Sequence, residues 1–337
     1  MIYQFLVFIA LCLSSCKENM MIVPTPPPQQ PGINPNIILV RPRLDTLHNI
    51  AGDYKMGVWG GNKIYCTAPL REITVNQGLG VERDTILQLI GGYRFLSVNK
   101  SATKLLLVQS LYVDVVVGSL FVWDIQSGLK IKLKDSSYVI SSARFLNCDQ
   151  KCIYYSYGNT SKQISAGFYL LDIISGSDSL IFAYTSEVGP IEITNGFDIS
   201  PDNHKLLIPL NHYYDYPRII EFDLFTGEIE TLKVNFIHQF LWLRYNPTGT
   251  KIVYSNYPKG SGGETVFDTS EVGIIDRSTL SKRVLNTNTN LGWYSINLFP
   301  DWSPDGEHIV YGSTKGPAIE PLGSIGYFSL YILKNVE

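Results

Sequence analysis

Residues that bind metals or carry redox chemistry are scarce in this 337-residue chain, which has five cysteines and five histidines. No Cys-x-x-Cys pair and no His/Cys spacing typical of a metal site occurs. Cys148 and Cys152 flank a turn and could form a disulfide bridge in an oxidising compartment, although two unpaired thiols fit the spacing equally well. The sequence therefore predicts no metal site and no cofactor.

The motifs of several large enzyme classes are also missing. There is no Gly-x-Ser-x-Gly elbow, and no His-Glu-x-x-His, phosphate-binding loop or Gly-x-Gly-x-x-Gly after a strand. The histidines are scattered along the chain, at His48, His204, His212, His238 and His308. No catalytic residue is predicted, so whether the protein is an enzyme stays open, with a binding role favoured.

An excess of positive charge and a long apolar run are absent as well. The net charge is −3, and nucleic-acid binders usually present a basic face, so no nucleic-acid partner is expected. The apolar run at residues 2–13 is too short to span a bilayer comfortably. Hydrophobic residues reach 45%, with 21 tyrosines, 28 glycines and 18 prolines. This mixture favours many short strands joined by turns.

The N-terminal segment has the features of a membrane anchor. The apolar run leads into Leu-Ser-Ser-Cys, ending at Cys16, and resembles a bacterial lipoprotein signal peptide, although no Lys or Arg precedes the run. The resemblance implies that residues 1–16 are a signal with a lipobox and that Cys16 is lipidated. An ordinary secretory signal or a buried strand is the alternative. Residues 17–36 are rich in proline and predict an extended spacer.

The residues after Cys16 bear on location. Lys17 stands where an aspartate would indicate inner-membrane retention, so the resemblance implies the bacterial outer membrane. Lys17-Glu18 also looks like part of a surface-export signal, which leaves both the periplasmic and the exterior side open. The first expected partner is therefore the membrane, through the lipid anchor.

A hairpin pattern recurs along the rest of the chain. Trp-Ser-Pro-Asp-Gly at residues 302–306 precedes Ile-Val-Tyr, which predicts a strand, a tight turn and a strand. Full or degenerate copies end at Lys63, Lys104, Cys152, Lys205, Lys251 and His308. A second landmark, an apolar strand ending in aspartate before a turn, keeps phase with it at Asp124, Asp172, Asp223 and Asp276. A period near fifty residues with four strands per unit predicts six propeller blades.

The expected fold is therefore all-β, a six-bladed β-propeller of four-stranded antiparallel blades over residues 37–337. The C-terminal strand at residues 329–334 lacks a following strand, and residues 37–46 are the candidate to complete that blade and close the ring. Pro42 suits an edge position. The aspartates that end the third strands are interpreted as turn formers that bind backbone.

The repeat resembles that of TolB-type six-bladed β-propellers. Residues 302–306 match its motif fully, residues 199–203 closely and residues 245–249 in part, whereas the other three copies are degenerate. TolB carries an α/β domain before its propeller, and here only the proline-rich spacer precedes it. The resemblance therefore implies the fold and does not carry over the role of TolB.

Binding residues are expected on the loops that follow the second strand of each blade and on the connections between blades, because these vary most. The candidate ligand-binding residues are His212, Tyr213, Tyr214, Asp215, Tyr216, Tyr257, Trp293 and Tyr294. Aromatic rings beside polar groups suit a protein, peptide or glycan ligand. Packing of these rings between blades is the alternative. The alternative function, by fold analogy, is a funnel-site enzyme such as a metal-assisted polysaccharide lyase or a lactonase-like hydrolase.

Overall fold

The protein is an all-β six-bladed propeller in a computed structural model. The structure describes residues 37–41, 56–66, 70–79, 81–87, 93–110, 118–183, 191–192, 196–212, 217–236, 240–257, 270–287, 297–313, 329–334 and 336. These residues form 25 strands. Among them, none of the helical segments has the length and apolar character needed to cross a membrane.

Each blade is an antiparallel sheet whose strands A to D run from the propeller axis outward. Blade 1 contains β2 (Gly57–Gly60), β3 (Lys63–Cys66), β4 (Arg71–Val75) and β5 (Val81–Ile86). Blade 2 contains β6 (Tyr93–Val98), β7 (Lys104–Ser110), β8 (Gly118–Asp124) and β9 (Lys130–Lys134). Blade 3 contains β10 (Ile140–Phe145), β11 (Lys151–Ser156), β12 (Gly167–Asp172) and β13 (Asp178–Ala183).

The second half of the ring repeats this order. Blade 4 contains an interrupted strand A, β14 (Ile191–Glu192) and β15 (Asp198–Ile199), then β16 (Lys205–His212), β17 (Arg218–Asp223) and β18 (Ile229–Leu232). Blade 5 contains β19 (Phe240–Tyr245), β20 (Lys251–Tyr257), β21 (Glu271–Asp276) and β22 (Lys282–Thr287). Blade 6 contains β23 (Asn297–Trp302), β24 (Ile309–Ser313), β25 (Ser329–Leu333) and β1 (Ile37–Arg41). Two single 3₁₀ turns lie at Ser136–Tyr138 and Thr160–Lys162.

The ring closes through both ends of the chain, as the sequence predicts. β1 pairs antiparallel with β25, with Ile37 opposite Leu333 and Leu39 opposite Tyr331. β1 is the outer edge of blade 6 and ends at Arg41. Pro42, which is expected at an edge position, lies outside the described residues. The last blade therefore combines strands from the beginning and the end of the described chain.

The turns between strands A and B obey one local rule. In four blades the residue that opens the turn has a short polar side chain. Its oxygen accepts a hydrogen bond from the backbone N–H of the residue five positions later, at or next to the start of strand B. Asn246 Oδ1 accepts from Lys251 N at 2.9 Å, and Ser303 Oγ accepts from His308 N at 2.9 Å. The residue entering the left-handed region is Gly306 in blade 6 (φ 78°) and Asn203 in blade 4 (φ 60°), as expected for the types with the least steric cost there.

The aspartates that end strand C are turn formers, which confirms that interpretation. Asp124 Oδ1 accepts from Ser127 N at 2.8 Å, and Asp223 Oδ1 accepts from Thr226 N at 2.8 Å. Asp172 and Asp276 bind the corresponding backbone groups. The pKa of Asp124 lies below its usual value because the bonds from Ser127 favour the ionised form.

Aliphatic and aromatic side chains fill the spaces between successive blades. Several tyrosines take part, and their hydroxyls reach carboxylates. Tyr154 donates to Asp178, and Tyr254 donates to Glu271 at 3.1 Å. Because both rings are buried, these tyrosines belong to the core and not to a ligand site.

The structure corrects the possible bridge between Cys148 and Cys152. Cys152 lies in β11 opposite Phe145, and its free thiol is fully buried. Cys148 lies on the turn and packs against a different hydrophobic cluster. The strand register thus turns Cys152 into the core, and the bridge is not formed.

Candidate functional site

The propeller has two faces with different chemistry. Strands A and C run toward one face, which carries the A–B and C–D turns and is called the turn face here. Strands B and D run toward the other, which carries the B–C loops and the connections between blades and is called the loop face. Among described residues, the longest structured segment of the loop face is the B–C loop of blade 3, residues 157–166.

The candidate residues fall partly outside the described chain. His212 ends β16 with its backbone opposite Ile191, and Tyr257 ends β20 opposite Phe240. Both strands are B strands, so both backbones reach the loop face, as expected. The other candidates, and the predicted lipidation site, lie outside the described residues: Cys16, Tyr213, Tyr214, Asp215, Tyr216, Trp293 and Tyr294. Their proposed roles therefore stay predictions.

A depression of about 770 Å³ lies in the loop face at blade 3. Its lining comes from the B–C loop and from the connection that enters the blade. The lining residues are Val139, Tyr157, Gly158, Asn159, Thr160, Gln163, Ile164, Ser165 and Ala166. Every one of these described lining residues is uncharged, and five of them offer an amide or a hydroxyl. The depression can therefore form hydrogen bonds without offering an acid, a base or a metal ligand.

The loop around the depression is held by its own backbone. Asn159 and Ile164 exchange two backbone hydrogen bonds, at 2.8 and 3.0 Å. Asn159 Nδ2 donates to Ser137 O at 3.0 Å, and Tyr157 N donates to Val139 O at 3.2 Å. These bonds tie the loop to the 3₁₀ turn at Ser136–Tyr138. The walls of the depression are thus fixed without a ligand.

Two lining residues adopt an unusual backbone conformation. Val139 has φ 51° and Gln163 has φ 55°, and both end a 3₁₀ turn. A β-branched residue such as Val139 rarely enters the left-handed region, since its Cβ substituents clash there. Asp135 caps the turn before Val139, accepting from Ser137 N at 2.8 Å. Backbone strain of this kind concentrates at binding and catalytic sites.

Aromatic rings support one side of the loop. Tyr157 is 40% exposed, and its ring lies 5.1 Å from that of buried Tyr155 in an edge-to-face arrangement. Tyr169 stacks on Tyr154 at 5.1 Å, and its hydroxyl donates to Ser165 O at 2.8 Å. Tyr157 therefore presents a ring that neighbouring side chains already orient.

A second polar group lies on the propeller axis, near the turn face. It consists of Arg144 on β10, Asp198 on β15, Arg244 on β19 and Asp301 on β23, and is called the charged ring here. Each residue stands two positions before the residue that opens its A–B turn, so the repeat places all four at one level. Positive and negative charges alternate from blade 3 to blade 6.

The two arginines join blades through carbonyls and carboxylates. Arg144 Nε lies 3.8 Å from Asp198 Oδ1 and 3.5 Å from Phe197 O. Arg244 Nη1 donates to Phe197 O at 2.9 Å, and its Nε lies 3.9 Å from Asp301 Oδ1. Arg144 thereby connects blade 3 to blade 4, and Arg244 connects blade 5 to blades 4 and 6.

The two aspartates join blades through backbone N–H groups. Asp198 Oδ2 accepts from Tyr245 N of blade 5 at 2.9 Å. Asp301 Oδ2 accepts from Trp59 N of blade 1 at 2.9 Å. The second bond connects the last blade to the first, so the charged ring and the β1–β25 pairing both contribute to closure.

Burial dominates the protonation of the ring. Desolvation raises the pKa of Asp198 to about 7 and that of Asp301 to about 6, although Arg144 lowers both. The pKa of Arg144 is lowered, again chiefly by burial. Because its polar groups bind other blades, the ring is an element of the fold that the sequence analysis missed. The signal was available: a charge within the otherwise apolar inner strands.

Aromatic side chains pack against Arg244 of the charged ring. The guanidinium of Arg244 lies 4.5 Å from the ring of Trp242, and Trp242 meets Phe299 edge to face at 4.6 Å. Phe299 has φ 57° and follows Leu298, where the pairing of β23 with β24 slips. This bulge brings the Phe299 ring against that of Trp242.

One group of side chains on the turn face has ligand atoms close enough for a metal. The atoms of Asp305, Glu307 and His308 lie within 4.8 Å of one another. Asp305 Oδ1, however, already accepts from Glu307 N at 2.9 Å and from Ser303 Oγ. The group is therefore explained as the A–B turn of blade 6.

No family model and no curated protein matches the chain, whereas many solved structures share its fold. TolB from Acinetobacter baumannii has a TM-score of 0.53 at 14% identity, covering 84% of this chain and 63% of that one. A TolB candidate from Agrobacterium tumefaciens gives 0.58 at 13%, covering 88% and 96%. An oligogalacturonate lyase in complex with manganese gives 0.51 at 12%, covering 83% and 76%.

The chain thus spans less than two thirds of the length of TolB from Acinetobacter baumannii. Identities of this size show the fold and nothing finer. The chain has a β-propeller fold, which it shares with TolB from Acinetobacter baumannii.

Proposed function

We propose that the protein is a lipid-anchored binding module of the bacterial outer membrane that recognises its ligand through the loop face. The observation that carries the proposal is the preformed depression in blade 3. Rigid walls lower the entropic cost of binding, and a concave surface with a few polar groups is the usual form of a ligand site. Because the described lining residues carry no acid, base or metal ligand, the site supports binding rather than bond cleavage.

The domain organisation fits this role. Residues 1–16 would supply the lipidated Cys16, residues 17–36 a spacer, and residues 37–337 the propeller. At about 3.1 Å per residue, an extended spacer would hold the propeller several tens of Å from the membrane. The first described strand begins at Ile37, directly after the spacer. The anchor would therefore leave the loop face free to meet a ligand.

The anchor is tested by Cys16→Ala in cells supplied with a labelled fatty acid. The variant should lose the label and leave the membrane fraction, whereas Cys66→Ala should keep both, since Cys66 is a buried thiol of β3. A labelled, membrane-bound Cys16→Ala protein would show that the lipoprotein interpretation is wrong.

The binding role is tested by titrating the folded protein with two sets of probes, oligosaccharides and peptides, in a calorimeter. We expect saturable binding by at least one probe, and weaker binding in Tyr157→Ala. Ile174→Ala is the matched control, because Ile174 is exposed on the turn face of the same blade. Binding that responds equally to both substitutions would remove the site from the loop face.

A further inference from the structure

We infer that the depression in blade 3 binds a neutral saccharide chain. This inference rests on the proposed function and names the class of its ligand. It depends on three properties of the described lining residues: their lack of charge, the hydrogen bonds that their backbone groups already make, and the oriented ring of Tyr157.

The lack of charge argues against an acidic or basic ligand. The polar lining groups are the side chains of Asn159, Thr160, Gln163 and Ser165 and the hydroxyl of Tyr157. A carboxylate or ammonium placed against them would lose hydration without gaining an opposite charge, which is costly. Amides and hydroxyls both donate and accept hydrogen bonds, and so do the hydroxyls of a neutral sugar.

The backbone argues against an extended peptide. Peptides that add a strand need an exposed row of N–H and C=O groups. In the loop, Asn159 and Ile164 bind each other, Gln163 N donates to Thr160 O, and Gly158 N donates to Ser156 Oγ. The loop thus offers side chains rather than a free strand edge.

The ring of Tyr157 supplies the apolar part of the site. The C–H face of a pyranose packs against an aromatic ring, and Tyr155 holds the ring of Tyr157 in place. A depression of about 770 Å³ falls within the range of about 300–1,000 Å³ typical of small-molecule sites. The site therefore combines a stacking ring with neutral hydrogen-bonding groups in a space suited to a short oligosaccharide.

The test uses calorimetric titration of the full propeller with five neutral hexasaccharides, those of glucose in β-1,4 and α-1,4 linkage, xylose, mannose and N-acetylglucosamine. Hexagalacturonate and a set of uncharged hexapeptides form the comparison arms. We expect at least one neutral hexasaccharide to bind and hexagalacturonate to bind at least about tenfold more weakly, since no described lining residue offers its carboxylates an opposite charge.

Three variants locate the contact. Tyr157→Ala should weaken binding by about two- to tenfold, the usual loss for one aromatic contact, whereas Tyr157→Phe keeps the ring and should bind like wild type. Gln163→Gly should also weaken binding. It removes the amide while relieving the left-handed backbone at φ 55°, so misfolding cannot explain a loss.

The comparison arms separate failure of this inference from failure of the proposed function. Hexapeptide binding that depends on Tyr157 would keep the binding role and refute the saccharide. Equal binding of hexagalacturonate and a neutral hexasaccharide would refute the neutral class alone. Absence of binding in every arm would overturn both the inference and the proposed function.

Discussion

The turn face and the loop face of this propeller are built from the same strands, yet among the described residues only the turn face repeats the same backbone hydrogen bonds from blade to blade. At the turn face, Asn246 and Ser303 occupy equivalent positions and make equivalent backbone bonds. At the loop face of blade 3, the loop has its own turn, cap and bridge. This difference indicates that the repeated residues determine the propeller fold, whereas the loops can vary and bind ligands.

The charged ring extends the comparison into the interior. It lies next to the turn face, its charges pair with other blades, and its members come from one position of the repeat. The depression draws on one blade and the connection that enters it, and its lining is uncharged. Substitutions near the turn face should therefore affect stability, and substitutions at the depression should affect binding.

The largest effect is expected from Arg244→Ala. The substitution removes the hydrogen bond to Phe197 O and a buried guanidinium whose Nε lies 3.9 Å from Asp301 Oδ1. Breaking a buried ionic contact by removing one partner costs about 3–5 kcal/mol. Chemical denaturation should show this loss in the free energy of unfolding. Arg218→Ala, at an exposed arginine of β17, is the control and should change it by less than about 0.5 kcal/mol. Similar values for the two variants would show that the charged ring is not a structural lock.

The buried aspartates of the charged ring also predict that the stability of the fold depends on pH. The pKa of Asp198 in the folded protein, about 7, lies above its ordinary value of 3.8. A carboxyl group raised in this way stabilises the fold fully below about pH 4 and loses that contribution as the pH rises through about 7. Two neighbouring charges also act on Asp198: Arg144 lowers its pKa and Asp301 raises it.

Asp198→Asn isolates the contribution of this one group. The amide oxygen can still accept from Tyr245 N, while the titration is removed. The free energy of unfolding of the wild type, relative to the variant, should fall between about pH 4 and about pH 7. A difference that stays constant over that window would mean that Arg144 holds the carboxylate ionised, contrary to the raised pKa.

Asn246→Ala should remove one copy of the hydrogen bonding that repeats at the turn face and so destabilise the fold. The Asn246 side chain accepts from Lys251 N and donates to Thr248 Oγ1 at 2.8 Å, and it is buried. Losing these bonds should lower the free energy of unfolding by about 1–2 kcal/mol. Thr160→Ala, at an exposed residue of the loop face, is the matched control. If Thr160→Ala is as destabilising as Asn246→Ala, the two faces do not differ as described.

The sequence predicts the A–B turns of the turn face well, because each turn depends on the residue types of its own few positions. Asn203 and Gly306 occur where the chain enters the left-handed region, and both can be read from a few neighbouring residues. Cys148 and Cys152 show the limit of local spacing, since the strand register decides which side chain points inward. The β1–β25 pairing was predictable from the strand that the last blade lacked.

The charged ring and the depression were not predicted, for different physical reasons. Arg144 and Asp301 become neighbours only when the ring closes, although aligning the inner strands on their turns places both at one position. The loop of blade 3 was passed over because its sequence holds one aromatic residue, Tyr157, whereas the blade 4 loop holds several. Hydrogen bonding, not aromatic content, shapes the depression.

The smallest effect on stability, and the sharpest test of the comparison, is expected from Tyr157→Ala. The ring is 40% exposed and contacts Tyr155 at its edge, so its loss should lower the free energy of unfolding by less than about 1.5 kcal/mol. Ile153→Ala in the same blade removes a fully buried side chain of β11 and should cost about 2–5 kcal/mol. Binding of the neutral hexasaccharide should show the opposite order, weakened in Tyr157→Ala and retained in folded Ile153→Ala, since Ile153 is not among the residues that line the depression. Denaturation and calorimetry on the same two variants measure both quantities. If Tyr157→Ala unfolds the blade as severely as Ile153→Ala, the ring serves packing between strands, and the loop face loses its claim to be the part of the molecule that is free to bind.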